Sequence, residues 1–447
     1  MRVDQLNDDD LVAEKAAYAK VRWKLIPFLF ALYVVSYLDR INVGFASLQM
    51  NRELGLSEAA FGFGAGIFFI GYFIFEIPSN LVLQRIGARV WISRIMISWG
   101  IAAMAMMFTR GVKSFCLLRF ILGAAEAGFF PGIIFYLTNW FPARERARAI
   151  AAFMTATQVA GIIAGPLSGV LLGMDGEWRL SGWQWLFLAE GLPALVLGFA
   201  VIAYLPDGPN DAKWLSPDER RSLLARLAIE REMIGDGAGR TLAVALTSAR
   251  VWLLSLLYFM IVFGHYGIAL WLPQILKAFG GLSDLRVGML SSIPFITAAI
   301  AMVIVGRRSD SRNERRWHLA LSAFVGAGAL ALSAAAHQPL FGLLAISVAA
   351  AGVSSTAGPF WTLPPAFLQG TGAAGGIALI NSTGNLAGFV GPSVVGLIKQ
   401  VTHSFAGGLL AMAGAVLTAG FIALALPGIE PKSVEAAVQP RTRAQAE

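Results

Sequence analysis

Apolar runs long enough to cross a bilayer, which takes roughly 20 residues, are centred near residues 35, 70, 100, 125, 160 and 193, and again near 262, 297, 327, 350, 385 and 415. The pattern predicts twelve membrane-spanning helices. Between the sixth and seventh lies the one long polar stretch, Pro206 to Ser248, with Lys213, Arg220, Arg221, Arg226, Arg231 and Arg240. The expected organisation is an N-terminal segment over residues 1–24, a six-helix bundle over 25–205, a linker over 206–249, a second six-helix bundle over 250–427 and a tail over 428–447. Inside the linker, Ser216-Pro217-Asp218-Glu219 has the order of a helix start: a serine N-cap, proline at the first helical position and glutamate three residues after the cap. A short surface helix is expected there.

Short loops rich in Lys and Arg stay in the cytoplasm. Lys20, Arg22 and Lys24 precede the first span; Arg85, Arg89 and Arg94 follow the second; Arg144, Arg146 and Arg148 follow the fourth; Arg307, Arg308, Arg312, Arg315 and Arg316 follow the eighth. These sites fall on one side, with both termini and the linker, which predicts cytoplasmic termini.

The two sets of six carry a repeat. Gly55-Leu56-Ser57-Glu58, with Gly62, is matched by Gly281-Leu282-Ser283-Asp284, with Gly288, and Gly165-Pro166 by Gly391-Pro392. The offset is constant, 281 − 55 = 226 and 391 − 165 = 226. The basic loop from Asn80 to Arg89 then falls on Gly306 to Arg315, and Asp39 falls on His265. Two parallel, duplicated halves follow, an arrangement common among transporters.

Composition narrows the class. With 57% hydrophobic and 14% charged residues the chain reads as a polytopic membrane protein. The formal charge of +8 resides in the topogenic loops, so it gives no reason to expect nucleic acid. A single cysteine, Cys116, excludes an intrachain disulfide and a cysteine metal cluster. Met1 to Lys24 has no short apolar core with a small-residue cleavage site, so no removable signal peptide is expected. Metal-ligand spacings, a nucleophile elbow and a phosphate-binding glycine loop are all missing from the sequence, so no enzyme, metal or cofactor is expected.

The residues that need explaining are charges inside the spans. Asp39 and Arg40 are adjacent in the first, where an ionised side chain costs about 2.5 to 3.5 kcal/mol or more and faces the bundle interior. Consecutive helical positions point about 100° apart, so each should meet a different partner. Arg119 and Glu126 in the fourth span are seven apart, two turns along one face. A buried arginine can hold a carboxylate in a bidentate fork, while a buried Asp or Glu can take a proton. Together they suggest a proton-coupled anion site, against the alternative of static ion pairs locking helices. Glu76, near the basic loop after the second span, reads as a gate or loop contact ahead of a proton carrier, and Glu190 in the sixth stays open between the same alternatives. His265 is open between a packed residue and a proton site. Gly161, Gly165 and Gly169, and Gly384 and Gly388, recur at four-residue intervals that let helices approach closely. Thr157, Gln158, Asn381, Ser382 and Asn385 are candidate hydroxyl-binding groups, and Tyr72, Tyr266, Trp271 and Trp361 candidate walls.

With these residues in view, the chain resembles the major facilitator superfamily, and within it the anion:cation symporter family of bacterial organic-acid permeases. The resemblance runs nearly end to end, through Tyr37-Leu-Asp-Arg-Ile-Asn-Val-Gly44, Gly71-Tyr-Phe-Ile-Phe-Glu-Ile-Pro-Ser-Asn80, Leu118-Arg119 to Pro131, Trp140-Phe-Pro-Ala-Arg144, Gly165-Pro166, Trp185-Leu-Phe-Leu-Ala-Glu-Gly-Leu-Pro193 and Gly384-Asn385-Leu-Ala-Gly388. It implies rocker-switch alternating access around a central site. Carried across, Arg40 is the anion-binding arginine, Asp39 and Glu126 are proton carriers, and Arg119 is the charge partner that tunes them. Tyr72, Thr157, Gln158, Trp361 and Asn385 fall where relatives line the cavity. The loop after the second span departs from the superfamily pattern, with Asn80 and Gln84 for Gly and Asp, whereas the second copy keeps Gly306 and Asp310. The resemblance implies a bacterial inner-membrane proton symporter importing a tartrate-like dicarboxylate or sugar acid, and a monomer is the default expectation. Aromatic acids of the phthalate or hydroxyphenylacetate kind are the alternative, and a transport-inactive carboxylate sensor of the same fold is the other.

Overall fold

A computed structural model describes residues 8–234, 246–367 and 372–426. The tail expected over 428–447 and linker residue Arg240 lie outside the described residues. Among the described residues, eleven helices are long and apolar enough to cross a membrane. Glu14–Glu53, Glu58–Ile86, Ala88–Phe108, Val112–Thr138, Ala152–Leu172 and Gly182–Tyr204 precede the linker; Ala249–Ala278, Asp284–Arg312, Arg316–Ala334, Pro339–Pro364 and Ala406–Ala425 follow it. The 31-residue helix Gly372–Thr402 completes the twelve as the eleventh span. Asn381, Ser382, Thr383 and Asn385 lower its mean hydropathy, as suits a helix that turns polar groups toward an interior.

The duplicated sequence produces duplicated local structure. Ser57 and Ser283 each cap a 29-residue helix, their hydroxyls accepting from the Ala60 and Arg286 amides at 3.2 and 3.3 Å. Before each cap a glycine takes a left-handed conformation, Gly55 at φ 62° and Gly281 at φ 68°. At the far end of those helices Gly87 and Asn313, again 226 apart, have φ 99° and 49°. One blueprint thus sets entry and exit of both helices.

The halves meet along three helix pairs: second with eleventh, fifth with eighth, and first with seventh. Small residues bring backbones together here, as packing of membrane helices requires. A Cβ on Gly62 would lie 2.4 Å from the Pro392 carbonyl oxygen, and one on Gly165 would lie 2.2 Å from that of Gly288. Since 62 + 226 = 288 and 165 + 226 = 391, one short of Pro392, the two contacts are images of each other to within one residue. Hydrogen bonds join the halves at the same end, which we term the far face: Gln274 Nε2 to Ser47 Oγ at 2.8 Å, Gln49 Nε2 to Asp284 Oδ2 at 2.9 Å, and the Ala59 amide to Gln400 Oε1 at 3.0 Å. The halves are therefore tied together on the side away from the linker.

Two features depart from the sequence reading. The first helix extends back through most of the N-terminal segment expected over 1–24; it runs unbroken from Asp8 to Glu53, and its polar start docks on the linker helix Pro217–Ile234. Lys20 Nζ lies 2.7 Å from Glu219 Oε1 there, and the expected cap forms in full: the Ser216 amide donates to Glu219 Oε2 at 2.9 Å, and the Glu219 amide to Ser216 Oγ at 3.3 Å. Burial pushes the Glu219 carboxyl up, but the bonds from Lys20 and Ser216 outweigh it and hold it below the usual range. The fourth span is also not continuous. Its helix stops at Glu126, Ala127 is extended at ψ 134°, Gly128 is left-handed at φ 85°, and a second helix runs Phe129–Thr138. Pro131 is tolerated in the first turn of that second helix, where its missing N–H has no intrahelical partner to lose.

Candidate functional site

The adjacent charges of the first span part as helical geometry requires. Arg40 turns toward the fourth span and the other half. Its Nε–H donates to Glu126 Oε1 at 2.7 Å, Nη2 stands 2.7 Å from the same oxygen, and Nη1–H donates to the Tyr266 hydroxyl at 3.3 Å. Ser36, one turn before Arg40 on the same face, donates to Glu126 Oε1 at 2.8 Å. The guanidinium carbon lies 5.0 Å from the centre of the Tyr72 ring and 5.6 Å from that of Phe68, a cation–π arrangement. Glu126 Oε2, by contrast, is buried without a donor.

Arg40 and Tyr266 are also 226 apart, so the bond between them joins equivalent positions of the two halves. Beside it the Tyr37 hydroxyl and His265 Nε2 lie 2.6 Å apart. His265, the counterpart of Asp39, is therefore engaged with a residue of the first half.

Arg119 is placed differently from what its spacing to Glu126 suggested. Glu126 pairs with Arg40 across spans; Arg119 donates from Nη2 to the Ala65 carbonyl at 2.9 Å and covers Phe68 at 4.9 Å. Its Nε and Nη1 are buried without acceptors. Phe68 is thus flanked by both arginines, which places Arg119 close enough to act on the Arg40–Glu126 pair electrostatically without touching it.

Asp39 points away from the cleft. Its Oδ2 accepts from Trp99 Nε1 at 2.6 Å and its Oδ1 from Asn42 Nδ2 at 3.4 Å. Glu190 lies near by in the sixth span and accepts from Ser168 Oγ at 3.0 Å. Glu76 is 5% exposed and bridges the halves, accepting from Asn381 Nδ2 and Ser382 Oγ at 3.2 Å each. Those two groups, expected to be free for a ligand, are therefore held by a carboxylate.

The remaining expected lining groups are scattered. Thr157 bonds back to the Met154 carbonyl at 3.0 Å, and Gln158 is buried with its Oε1 unpartnered. Asn385 is half-buried. Trp361 packs edge-on against Tyr258 with ring centres 5.0 Å apart, and Tyr258 stacks on Phe360 at 4.8 Å. Sequence reasoning missed Ser36, Asn42, Trp99 and Ser168. A signal existed for the first two: Ser36 with Arg40 at i, i+4 and Asp39 with Asn42 at i, i+3 are same-face spacings. Trp99 and Ser168 come from other helices and had none.

The sequence and the fold match known proteins. A family profile described as Major Facilitator Superfamily covers residues 29–392. The chain belongs to the major facilitator superfamily. It is 46% identical over 434 residues to a protein of Agrobacterium vitis named "Putative tartrate transporter", covering 97% of this chain and 96% of that one. It is 48% identical over 396 residues to a "Quinolone resistance transporter" of Acinetobacter baumannii, covering 89% and 91%. Among solved structures, a bacterial homologue of the human lysosomal transporter Spinster, inward-facing and occupied, superposes with a TM-score of 0.74 at 17% identity, covering 90% of this chain and 96% of that one. The chain is a multi-pass membrane transporter, not an enzyme, and the tartrate-named relative agrees with the anion:cation symporter branch.

Proposed function

We propose that this transporter is a proton-coupled symporter that imports a small organic dicarboxylate or sugar acid by rocking its two halves about the central site, its linker face and both termini in the cytoplasm of a bacterial inner membrane. The observation that carries the reading is Arg40, held by Glu126 on one side and reaching Tyr266 of the other half. While Glu126 is ionised it occupies the fork that a substrate carboxylate needs. A proton on Glu126 weakens that pair and releases the guanidinium, so proton and anion are taken together. A bound carboxylate then bridges Arg40 and Tyr266, linking loading to the position of the halves. Asp39 is a second proton carrier, and Arg119 tunes the pair. Tyr72, Thr157, Gln158, Trp361 and Asn385 complete the cavity. The tartrate-named relative supports a hydroxylated dicarboxylate, and one chain contains the whole path, which supports a monomer.

The Tyr258, Phe360 and Trp361 cluster supports a second reading, an aromatic acid as substrate. One experiment separates the two. Purified protein in proteoliposomes is given radiolabelled tartrate under an inward proton gradient, with unlabelled sugar acids, phthalate and hydroxyphenylacetate as competitors. Accumulation of tartrate lost on collapsing the gradient supports the first reading, and stronger competition by the aromatic acids supports the second. Saturable binding with no accumulation of any acid, and no exchange, overturns symport and leaves a sensor.

A further inference from the structure

We infer that Glu190 and Asp39, bridged by Asn42, form a second proton-binding site that loads separately from the Arg40–Glu126 pair. This rests on the symport reading above. The first half buries two arginines within its spans, Arg40 and Arg119, against four acids, Asp39, Glu76, Glu126 and Glu190. Arg40 is committed to Glu126, and Glu76 meets neutral groups at the seam between the halves. An unpaired ionised carboxylate in such surroundings is costly, so the surplus acids are neutralised by protons rather than left charged.

The surroundings of Glu190 favour that outcome. Four elements enclose the site: the first span gives Asp39 and Asn42, the third Trp99, the fifth Ser168 and the sixth Glu190. Every direct partner is neutral: Trp99 and Asn42 donate to Asp39, Ser168 donates to Glu190, and Asn42 also contacts Glu190. Among the described residues neither acid makes an ion pair. The charged groups that act on Asp39 through space are Glu190, Glu126 and Arg119. Two buried acceptors, Glu190 Oε2 and Asn42 Oδ1, have no donor. An ionised Glu190 only adds acceptors, whereas a protonated one supplies the O–H donor that this cluster lacks. The helix of the first span separates the cluster from the cleft side, where Arg40 points. A proton held here can therefore stay through substrate release, while one on Glu126 competes with substrate for Arg40.

The test uses Glu190→Gln, which keeps shape and removes the titrating group, with Glu190→Asp as its conservative partner. On purified full-length protein, infrared difference spectra across a pH step should show a carboxylic-acid C=O band that Glu190→Gln removes. In proteoliposomes with tartrate, Glu190→Gln should retain counterflow within about twofold but move about one proton fewer per substrate than wild type, with Glu190→Asp restoring the ratio. An unchanged band and ratio, or loss of counterflow together with coupling, overturns the proposal. Driving by a sodium gradient alone, abolished in Glu190→Gln, would show that the site takes a metal cation and would also overturn it. Wild-type protein that accumulates nothing under a proton gradient defeats the symport reading instead, and the infrared band still decides whether Glu190 binds a proton.

Discussion

The two halves share a backbone plan but not a chemistry. At the 226-residue offset, Arg40, Arg119, Glu126 and Glu76 of the first half fall on Tyr266, Ala345, Gly352 and Met302 of the second. Asp39 falls on His265, and the twelfth span carries no charged residue at all. The caps, left-handed corners and close seams described above are nonetheless reproduced. Duplication has thus preserved what lets two bundles fold and pack closely, while ionisable groups were concentrated on one side. The lesson is a division of labour: the first half holds the buried charges, and the second half meets them with hydroxyls and rings.

The comparison would break most visibly at Arg40. Arg40→Ala leaves Glu126 buried without its cation, and truncating one member of such a pair costs about 2 to 5 kcal/mol. Binding of tartrate by calorimetry should weaken by about a hundredfold or more, with Arg40→Lys intermediate because a point charge cannot reproduce the fork. Binding that survives Arg40→Ala would show that the second half, or Arg119, holds the anion. Next in size is Glu126→Gln. An uncharged amide in place of the carboxylate should leave counterflow intact while cutting gradient-driven accumulation by about tenfold or more, the order expected for losing a proton-transfer group. Equal loss of both activities would mark Glu126 as a structural partner of Arg40 instead.

How far the sequence alone could reach follows the same division. The twelve spans, the duplication and the linker cap were legible because each is written in local terms: apolar length, a constant offset, a Ser-Pro-Asp-Glu start. The divergence of Asp39 and Arg40 was legible from helical rotation. Who meets whom was not. Glu126 stands two turns from Arg119 along its own helix, yet its partner comes from the first span, because the helix ends at Glu126 and the crossing of two helices is not encoded in either. That break at Ala127–Gly128 had a sign in Gly128 and Pro131, but both are common inside membrane helices. Asn381 and Ser382 looked available for a ligand because their acceptor, Glu76, lies 305 and 306 residues away in sequence.

Tyr266→Phe sharpens the comparison at smaller scale. It removes one long hydrogen bond of 3.3 Å and keeps the ring, so a loss of about 1 kcal/mol is expected. That is about a fivefold rise in the tartrate concentration needed for half-maximal uptake. If the hydroxyl senses bound anion, the loss should appear in transport and be weaker in equilibrium binding. An identical loss in both would make Tyr266 a simple ligand.

The smallest effect is expected at the far-face seam, where among the described residues the halves meet through one interhalf ion pair whose members are unequal in setting. Lys399 Nζ of the second half lies 2.6 Å from Glu58 Oε1 of the first and donates to Gln274 Oε1 at 2.9 Å, over the Trp271 and Phe405 rings. A pair of this kind, with the Glu58 side chain 34% exposed, contributes about 0 to 1 kcal/mol. Lys399→Gln should therefore shift the balance between far-face-closed and far-face-open forms by no more than about fivefold. Cysteines introduced at Ala59 and Gln400, in a chain with Cys116→Ser, report the shift directly: the native backbone-to-side-chain bond between those positions is 3.0 Å, so cross-linking should fall as the seam opens. A fall of that size, with Arg40-dependent binding unchanged, separates gating at the seam from recognition at the centre. Unaltered cross-linking would instead assign closure of the far face to the glycine contacts, Gly62 on Pro392 and Gly165 on Gly288, which both halves inherited alike.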